Sequence, residues 1–196
     1  DGPTPEIARR LVDDAIEVER TGLRGKVYVD ARDNRYDRKS DPGYGYGGYG
    51  LYLDPSGCPA LSKIGISEVK PAVNITHTNF HHLAVTKTGG TVVFYLDGVA
   101  YSAAAYNPGF VFSTVAAIGA RGDNLDNSFL GSIDEVSVYN RALTAAEIQP
   151  IYAAASAGKC APTPPNTCVT PPSGLVSWWR GESNALDSAD GNNGTL

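Results

Sequence analysis

The chain of 196 residues carries a formal net charge of −5, with 16 Lys and Arg against 21 Asp and Glu. This length is enough for one large β-domain or two small ones. The negative charge and the lack of a basic run argue against a nucleic-acid-binding protein, because phosphate contacts need clustered Lys and Arg. No apolar run approaches the length of a membrane span, so the sequence predicts no membrane-spanning helix.

Residues 1–49 are predicted to form an N-terminal α/β segment that ends in a junction rich in glycine and tyrosine. Thr4 followed by Pro5 is typical of a helix start, and apolar residues then recur at helical spacing until Gly22. The sequence therefore predicts a helix that ends near Gly22, followed by a short strand over residues 26–30.

The junction contains Tyr44, Tyr46 and Tyr49, which alternate with glycines. Dense glycine costs backbone entropy in any regular element, so one interpretation is a plain loop. The other is a sugar-binding surface, since aromatic rings pack against the apolar faces of pyranoses. These three tyrosines are the ligand-binding candidates.

Residues 50–157 consist of short segments with the spacing of an antiparallel sandwich. Gly89-Gly90 and Asp97-Gly98 predict tight hairpin turns. Thr144 and Glu147 predict a capping box at the start of a short helix. The predicted strands are Leu51–Leu53, Leu61–Ile66, His82–Thr86, Val92–Asp97, Ala116–Gly119 and Ile133–Tyr139.

Four blocks in this region resemble, in order, the laminin-G-like, concanavalin A-type lectin/glucanase family; they are Phe80–Thr86, Val93–Val99, Ala117–Gly119 and Gly131–Leu143. The resemblance implies a mostly β, antiparallel jelly-roll sandwich, here with an N-terminal helix–strand segment and a short helix after the last strand. It also implies a non-catalytic extracellular module that binds carbohydrate or protein ligands. Within residues 1–48, the stretches 1–15 and 21–32 resemble a segment of an uncharacterised bacterial family. This resemblance carries no information about activity.

A Pro-rich linker over residues 158–173 precedes a tail, 174–196, that resembles the opening strand of a following laminin-G-like repeat. In that family the first and last strands are neighbours. We therefore expect Leu175–Trp179 to pair with Ile133–Tyr139, either in its own chain or in another copy. Pairing between copies through residues 174–180 would make the protein a self-associating structural subunit, as a swapped dimer or a filament.

Cys160 and Cys168 flank the proline-rich part of the linker. They can form a disulfide if their Cα atoms lie within about 7 Å of each other. Zinc ligation is the alternative, but three cysteines at these separations without a nearby histidine pair do not give the usual ligand spacing. A disulfide indicates an oxidising compartment, so we expect a secreted or cell-surface protein.

One loop gathers four oxygen-bearing side chains, those of Asp123, Asn124, Asp126 and Asn127. Calcium prefers carboxylate, amide and carbonyl oxygens. In pentraxins and other relatives implied by the resemblance, the loop before the Gly-x-Ile strand supplies calcium ligands. The alternative interpretation is a turn, since Asp, Asn and Gly also favour turns.

Catalytic patterns are weak throughout the chain. Asp134 and Glu135 are adjacent, and neighbouring residues of a strand point to opposite faces, so they cannot form the carboxylate pair of a glycosidase. No nucleophile elbow accompanies the histidines His77, His81 and His82. Packing or backbone bonding is the expected role of His81 and His82, and the sequence predicts no enzyme.

Overall fold

The structure is a computed structural model that describes residues 15–18, 20–21, 29–30, 49–63, 66–77, 79–108, 117–119, 129, 131–160 and 168–196. Its strands are β1 (Ala15–Val18), β2 (Arg20–Thr21), β3 (Val29–Asp30), β4 (Tyr49–Leu53), β5 (Pro59–Lys63), β6 (Ser67–Val69), β7 (Leu83–Thr88), β8 (Thr91–Leu96), β9 (Val99–Ser102), β10 (Ala117–Ile118), β11 (Ile133–Asp134), β12 (Val136–Tyr139) and β13 (Leu175–Trp179). Helix α1 spans Ala145–Ala154 and continues into a 3-10 turn, Ala155–Ala157.

Two antiparallel sheets make up the sandwich. The six-stranded sheet has the order β13-β12-β1-β7-β8-β9, and the five-stranded sheet has the order β10-β3-β4-β5-β6. Strands β2 and β11 form a separate two-stranded pair. The two predicted glycine turns are present, since Gly89-Gly90 joins β7 to β8 and Asp97-Gly98 joins β8 to β9.

The main core lies between the two sheets and follows the alternation of side chains along each strand. Val92 and Phe94 of β8 are buried on the inner side, whereas Tyr95 belongs to a second apolar cluster. Residues from both sheets form this core together with Tyr106, which follows β9; the sheet residues are Leu51, Leu61, Val69, Val85, Val92, Phe94, Val136 and Val138.

Helix α1 covers the outer face of the six-stranded sheet. Ile148 and Ile151 are buried against Ala84, Tyr95 and Tyr139 of the sheet. The predicted capping box is present, and the Thr144 N–H donates to Glu147 Oε2 at 2.9 Å. The Arg141 guanidinium binds the same carboxylate with two nitrogens, at 2.6 and 2.9 Å. The start of α1 is therefore fixed by both a cap and an ion pair.

The tail strand β13 pairs with β12 of its own chain, with Trp178 opposite Ser137. Asp187 links β13 to the segment that follows it, because its carboxylate accepts backbone N–H bonds from Trp178, Ala189 and Asn192. This is the in-chain alternative of the expected pairing, and self-association through residues 174–180 stays a prediction.

The N-terminal helix prediction is wrong for its second half. Residues 15–18 and 20–21 are strands, and β1 lies between β12 and β7 in the six-stranded sheet. Pairing on both sides of β1 overrides the helical spacing of its apolar residues, because tertiary context outweighs local propensity. Residues 1–14 lie outside the described residues.

The boundaries of the predicted domains remain a prediction, although β1 and β3 both lie in the sandwich sheets.

The strand predicted over Ile133–Tyr139 is interrupted at Glu135, whose φ is 56°, and it forms two strands, β11 and β12. In the described part of the chain, no helix has the length and apolar character needed to cross a membrane.

Candidate functional site

A cavity of about 330 Å³ opens between the start of β7, the turn after β8 and the second half of α1. We call it the imidazole cavity, because all three histidines of the chain line it. The lining residues are His77, Asn79, Phe80, His81, His82, Asp97, Ile151, Tyr152 and Ala155.

The Asp97-Gly98 turn sets one wall of the imidazole cavity. Asp97 and Gly98 have φ values of 51° and 76°, as a two-residue hairpin of the Asn-Gly or Asp-Gly kind requires. The Asp97 N–H donates to the His82 carbonyl at 2.9 Å, and the His82 N–H donates to Asp97 Oδ1 at 3.0 Å. This reciprocal pair fixes the Asp97 carboxylate beside the strand that carries the histidines.

A chain of side chains then extends from Asp97 across the cavity wall. Asp97 Oδ2 lies 2.7 Å from Nδ1 of the buried His81. Nε2 of His81 lies 3.1 Å from Nδ1 of His77. Both ring nitrogens of His81 are therefore engaged, one by a carboxylate and one by a second imidazole.

Aromatic rings form the rim. Phe80 is 54% exposed and Tyr152 is 38% exposed, so both present ring surface to solvent. The Tyr152 ring lies 5.8 Å from the His82 ring, centre to centre. Gly98 allows α1 to approach, since a Cβ at this position would come within 2.7 Å of both Gln149 and Tyr152.

The acid–base groups of the described lining are Asp97 and the three histidines. Around the cavity, the described residues include a single carboxylate, Asp97, and both of its oxygens are engaged by His81 and the His82 N–H. The His81–Asp97 pair resembles a base with its orienting acid, yet the described lining residues include no serine or cysteine nucleophile. Glycoside hydrolysis by two carboxylates would need a second acid.

A second polar cluster surrounds Glu135, where the tail meets the closing strand. Glu135 Oε2 accepts an N–H bond from Trp178 Nε1 at 2.6 Å and lies 3.4 Å from Lys159 Nζ. Lys159 and Arg180 also stand over the Trp178 ring, at 5.3 and 5.4 Å from its centre. We call these four residues the Glu135 cluster.

A third group, on the surface of the five-stranded sheet, links Tyr52, Glu68, Lys70 and Asp54. The Tyr52 hydroxyl donates to Glu68, and Lys70 Nζ lies 2.9 Å from Glu68 and 3.1 Å from Asp54. Burial alone would raise the pKa of Asp54, but hydrogen bonds from Ser56, Lys70 and Cys58 lower it to about 2. This group holds a loop, since Asp54 also accepts backbone N–H bonds from Ser56 and Cys58.

Most of the site residues expected from sequence lie outside the described residues. Tyr44, Tyr46 and the four calcium candidates Asp123, Asn124, Asp126 and Asn127 are among them. Tyr49 is in β4, opposite Lys63, and its side chain lies outside the described residues.

The cysteines are described. Cys160 and Cys168 form a disulfide with their Cα atoms 5.0 Å apart. Cys58 is a free, buried thiol whose Sγ lies 3.4 Å from the Pro71 carbonyl oxygen. Burial, with Asp54 nearby, raises the pKa of the Cys58 thiol.

The imidazole cavity itself was missed from sequence. The sequence predicts packing or backbone bonding for His81 and His82, and both side chains are buried, but both residues also line an open cavity. The available signal was His77-x-x-x-His81-His82 before a strand whose hairpin partner ends in Asp97-Gly98. Antiparallel pairing of the two strands places Asp97 beside the histidines.

Comparison with known proteins agrees with the observed sandwich. The model of the concanavalin A-like lectin/glucanases superfamily matches residues 26–149, more than half of the chain. No curated protein matches the sequence.

Solved structures share the architecture at low identity. A Bacteroides ovatus protein described as a candidate carbohydrate-binding protein has a TM-score of 0.58 and 13% identity, and the alignment covers 87% of this chain and 46% of that one. The chain thus spans about half the length of that protein. The CBM40 module of the Ruminococcus gnavus IT-sialidase has a TM-score of 0.54 and 12% identity, with 79% of this chain and 91% of that one covered. The same module bound to α2,3-sialyllactose has a TM-score of 0.53 and 12% identity, with the same coverage. At these identities the likeness shows a shared fold.

Proposed function

Since the chain belongs to the concanavalin A-like lectin/glucanase superfamily, we propose that it is a non-catalytic carbohydrate-binding module whose ligand occupies the imidazole cavity. The observation that carries the proposal is the combination, in one cavity, of exposed aromatic rings with polar imidazoles. Aromatic faces accept the apolar faces of sugars, while a few fixed polar groups set orientation.

Each part of the lining has a role in this proposal. Phe80 and Tyr152 offer ring surface at the rim, where a pyranose can pack. His77 and Asn79 offer polar groups at the exposed side of the cavity. His81 and Asp97 hold each other, which keeps the wall in place before a ligand arrives. Preorganised walls reduce the entropy cost of binding.

The solved relatives support the same class of ligand. One is described as a candidate carbohydrate-binding protein, and another was solved with α2,3-sialyllactose. The Cys160–Cys168 disulfide supports an extracellular location, because disulfides persist in oxidising compartments.

A glycan array followed by calorimetry tests this function. We expect the full chain to bind a defined set of glycans, and Phe80→Ala to weaken that binding by about tenfold, as expected for about 1.4 kcal/mol of lost ring packing. Leu186→Ala is the matched control, because Leu186 is 57% exposed and does not line the cavity. It should bind like the wild type.

Two results would contradict the proposal. If the folded chain binds none of the glycans on the array, the proposed carbohydrate function is wrong. Binding that survives Phe80→Ala but is lost when Tyr44 and Tyr46 are changed would move the ligand to the glycine- and tyrosine-rich segment.

We also propose calcium binding by the loop that contains Asp123, Asn124, Asp126 and Asn127, since these side chains supply the oxygens that calcium prefers. Millimolar calcium should raise the melting temperature of the wild type, because a ligand that binds only the folded state stabilises it. The double variant Asp123→Asn and Asp126→Asn should lose that shift. An unchanged wild-type melt would remove the calcium site and leave the imidazole cavity unaffected.

A further inference from the structure

The contact between His77 and His81 has the dimensions of two ligands to one metal ion. Nδ1 of His77 and Nε2 of His81 lie 3.1 Å apart, and the ring centres are 4.5 Å apart. Two imidazole nitrogens bound tetrahedrally to Zn²⁺ at about 2.0–2.1 Å would be separated by about 3.3–3.4 Å. A small movement of the exposed His77 closes that difference.

The Asp97 carboxylate prepares His81 for this role. Asp97 Oδ2 lies 2.7 Å from His81 Nδ1, and a carboxylate there favours the proton on Nδ1. The lone pair of the neutral ring is then on Nε2, the nitrogen that faces His77. Metal-bound histidines commonly donate their second ring N–H to a carboxylate in this way.

Asp97 is itself held firmly. Its Oδ1 accepts the His82 N–H at 3.0 Å and its own N–H donates to the His82 carbonyl, so turning the carboxylate away from His81 would break the hydrogen bond from the His82 N–H. The arrangement therefore has a ligand pair, an orienting acid and a fixed backbone behind them.

We propose that His77 and His81 bind a divalent cation of the Zn²⁺ type at the wall of the imidazole cavity. The neutral His77 ring would carry its proton on Nε2 instead of Nδ1, and the ion would lie off the line that joins the two facing nitrogens, at about 2.0–2.1 Å from each. Water or ligand oxygens would complete its coordination from the cavity side. Imidazole nitrogen suits zinc and its neighbours rather than calcium, which prefers oxygen. Among the described residues, no group of three or more His, Cys, Asp or Glu side chains could hold a metal ion, and the proposed site therefore uses two described protein ligands, His77 and His81.

Zinc titration of the full chain without any sugar tests the site separately from the proposed carbohydrate function. The sequence has three histidines, so an NMR experiment that detects ring nitrogens resolves every imidazole in the chain. We expect one equivalent of zinc to shift the signals of His77 and His81 and to leave His82 unchanged. Calorimetry should give the same stoichiometry, with affinity falling at acid pH because the ligands must be deprotonated.

Two variants sharpen the test. His77→Gln should remove stoichiometric zinc binding, and this exposed position tolerates the change without loss of the fold. Asp97→Asn should weaken zinc binding by about 10–100-fold, as loss of an orienting carboxylate does at known sites. Asparagine also accepts a positive φ, so the turn is retained. Asp54→Asn is the matched control, since Asp54 accepts loop N–H bonds elsewhere and should leave zinc binding unchanged.

Equal zinc affinity in the wild type and His77→Gln would overturn the proposal, as would zinc-induced shifts confined to His82. Absence of any stoichiometric zinc binding by the folded wild type would also overturn it, whether or not the chain binds glycans.

Discussion

Asp97 and Glu135 occupy similar backbone positions but have different surroundings. Each is a non-glycine residue of positive φ next to a strand end, with φ of 51° and 56°. Each carboxylate contacts a cationic or protonatable side chain, His81 at 2.7 Å and Lys159 at 3.4 Å. The Asp97 side chain is 35% exposed beside an open cavity, whereas Glu135 is 13% exposed and faces a fully buried Lys159.

A carboxylate on a positive-φ residue at a strand end therefore has two different roles in this fold. Around Glu135 the tail strand and the linker close the space, so the charges hold β12, β13 and the disulfide segment together. Around Asp97 the histidines and α1 leave a cavity of about 330 Å³. Changes in the Glu135 cluster should therefore lower stability, and changes in the imidazole cavity should lower binding.

The largest effect is expected for Glu135→Gln. It removes the carboxylate that faces the buried Lys159 ammonium, and breaking a buried ion pair from one side costs about 3–5 kcal/mol. Urea unfolding should show this loss, while glycan binding by the remaining folded protein is unchanged.

Lys159→Met in the Glu135→Gln background is the control. Removing both charges should restore part of the stability, because a buried pair can be replaced by apolar groups at little cost. If Glu135→Gln alone lowers the free energy of unfolding by less than about 1 kcal/mol, the Glu135–Lys159 pair is screened by solvent as a surface ion pair is. Glu135 would then not differ from Asp97 in its contribution to stability.

A smaller effect is expected when the disulfide is removed. Cys160 and Cys168 close a loop with a sequence separation of 8. The double change to serine should lower the free energy of unfolding by about 2–3 kcal/mol, by the loop-entropy relation. The measurement is denaturant unfolding of both proteins without reductant.

Adding reductant to the wild type should produce a similar loss, and the double-serine variant should not respond to it. A large loss of glycan binding by the folded variant would show that the linker reaches the imidazole cavity, against the separation of the two regions.

Sequence patterns predicted the elements that local signals define. The Thr144–Glu147 capping box was predicted from a short-range pattern and the strand Leu175–Trp179 from the family resemblance of the tail, and both are present. The two hairpin turns followed from glycine-containing pairs, because positive φ at those positions leaves few other residues. The four blocks that resemble the laminin-G-like family predicted the sandwich fold, and the family match confirms it.

The same local patterns could not predict pairing between strands that are far apart in sequence. Ala15 and Ile16 fit a helix locally but are β-paired to β7, and Ile16 also to β12. The imidazole cavity needs His81 and Asp97, sixteen residues apart in sequence, to meet across a hairpin and under α1. A single sequence shows each residue but not the space that the helix leaves between them.

The smallest predicted effect concerns α1, which carries Ile151 and Tyr152 into the cavity wall. Hydrogen bonds from Arg141, and then the Thr144 N–H, lower the pKa of Glu147 from 4.5 to about 2. A carboxyl whose folded pKa is depressed stabilises the fold above its unfolded pKa and loses that contribution as pH falls toward the folded value. The substitution Glu147→Gln keeps a capping side chain but removes the charge.

This change should lower the free energy of unfolding by about 1 kcal/mol at pH 6, after allowing for solvent screening of this partly exposed pair. The difference should shrink between pH 4.5 and about 2, where the wild-type Glu147 becomes protonated. Unfolding of both proteins across this range measures it, with Glu182→Gln as the control. Glu182 is 67% exposed and lies 3.6 Å from Arg180, so its change should be nearly neutral at every pH. A Glu147→Gln difference that stays constant down to pH 2 would mean that shape rather than charge holds α1 against the cavity.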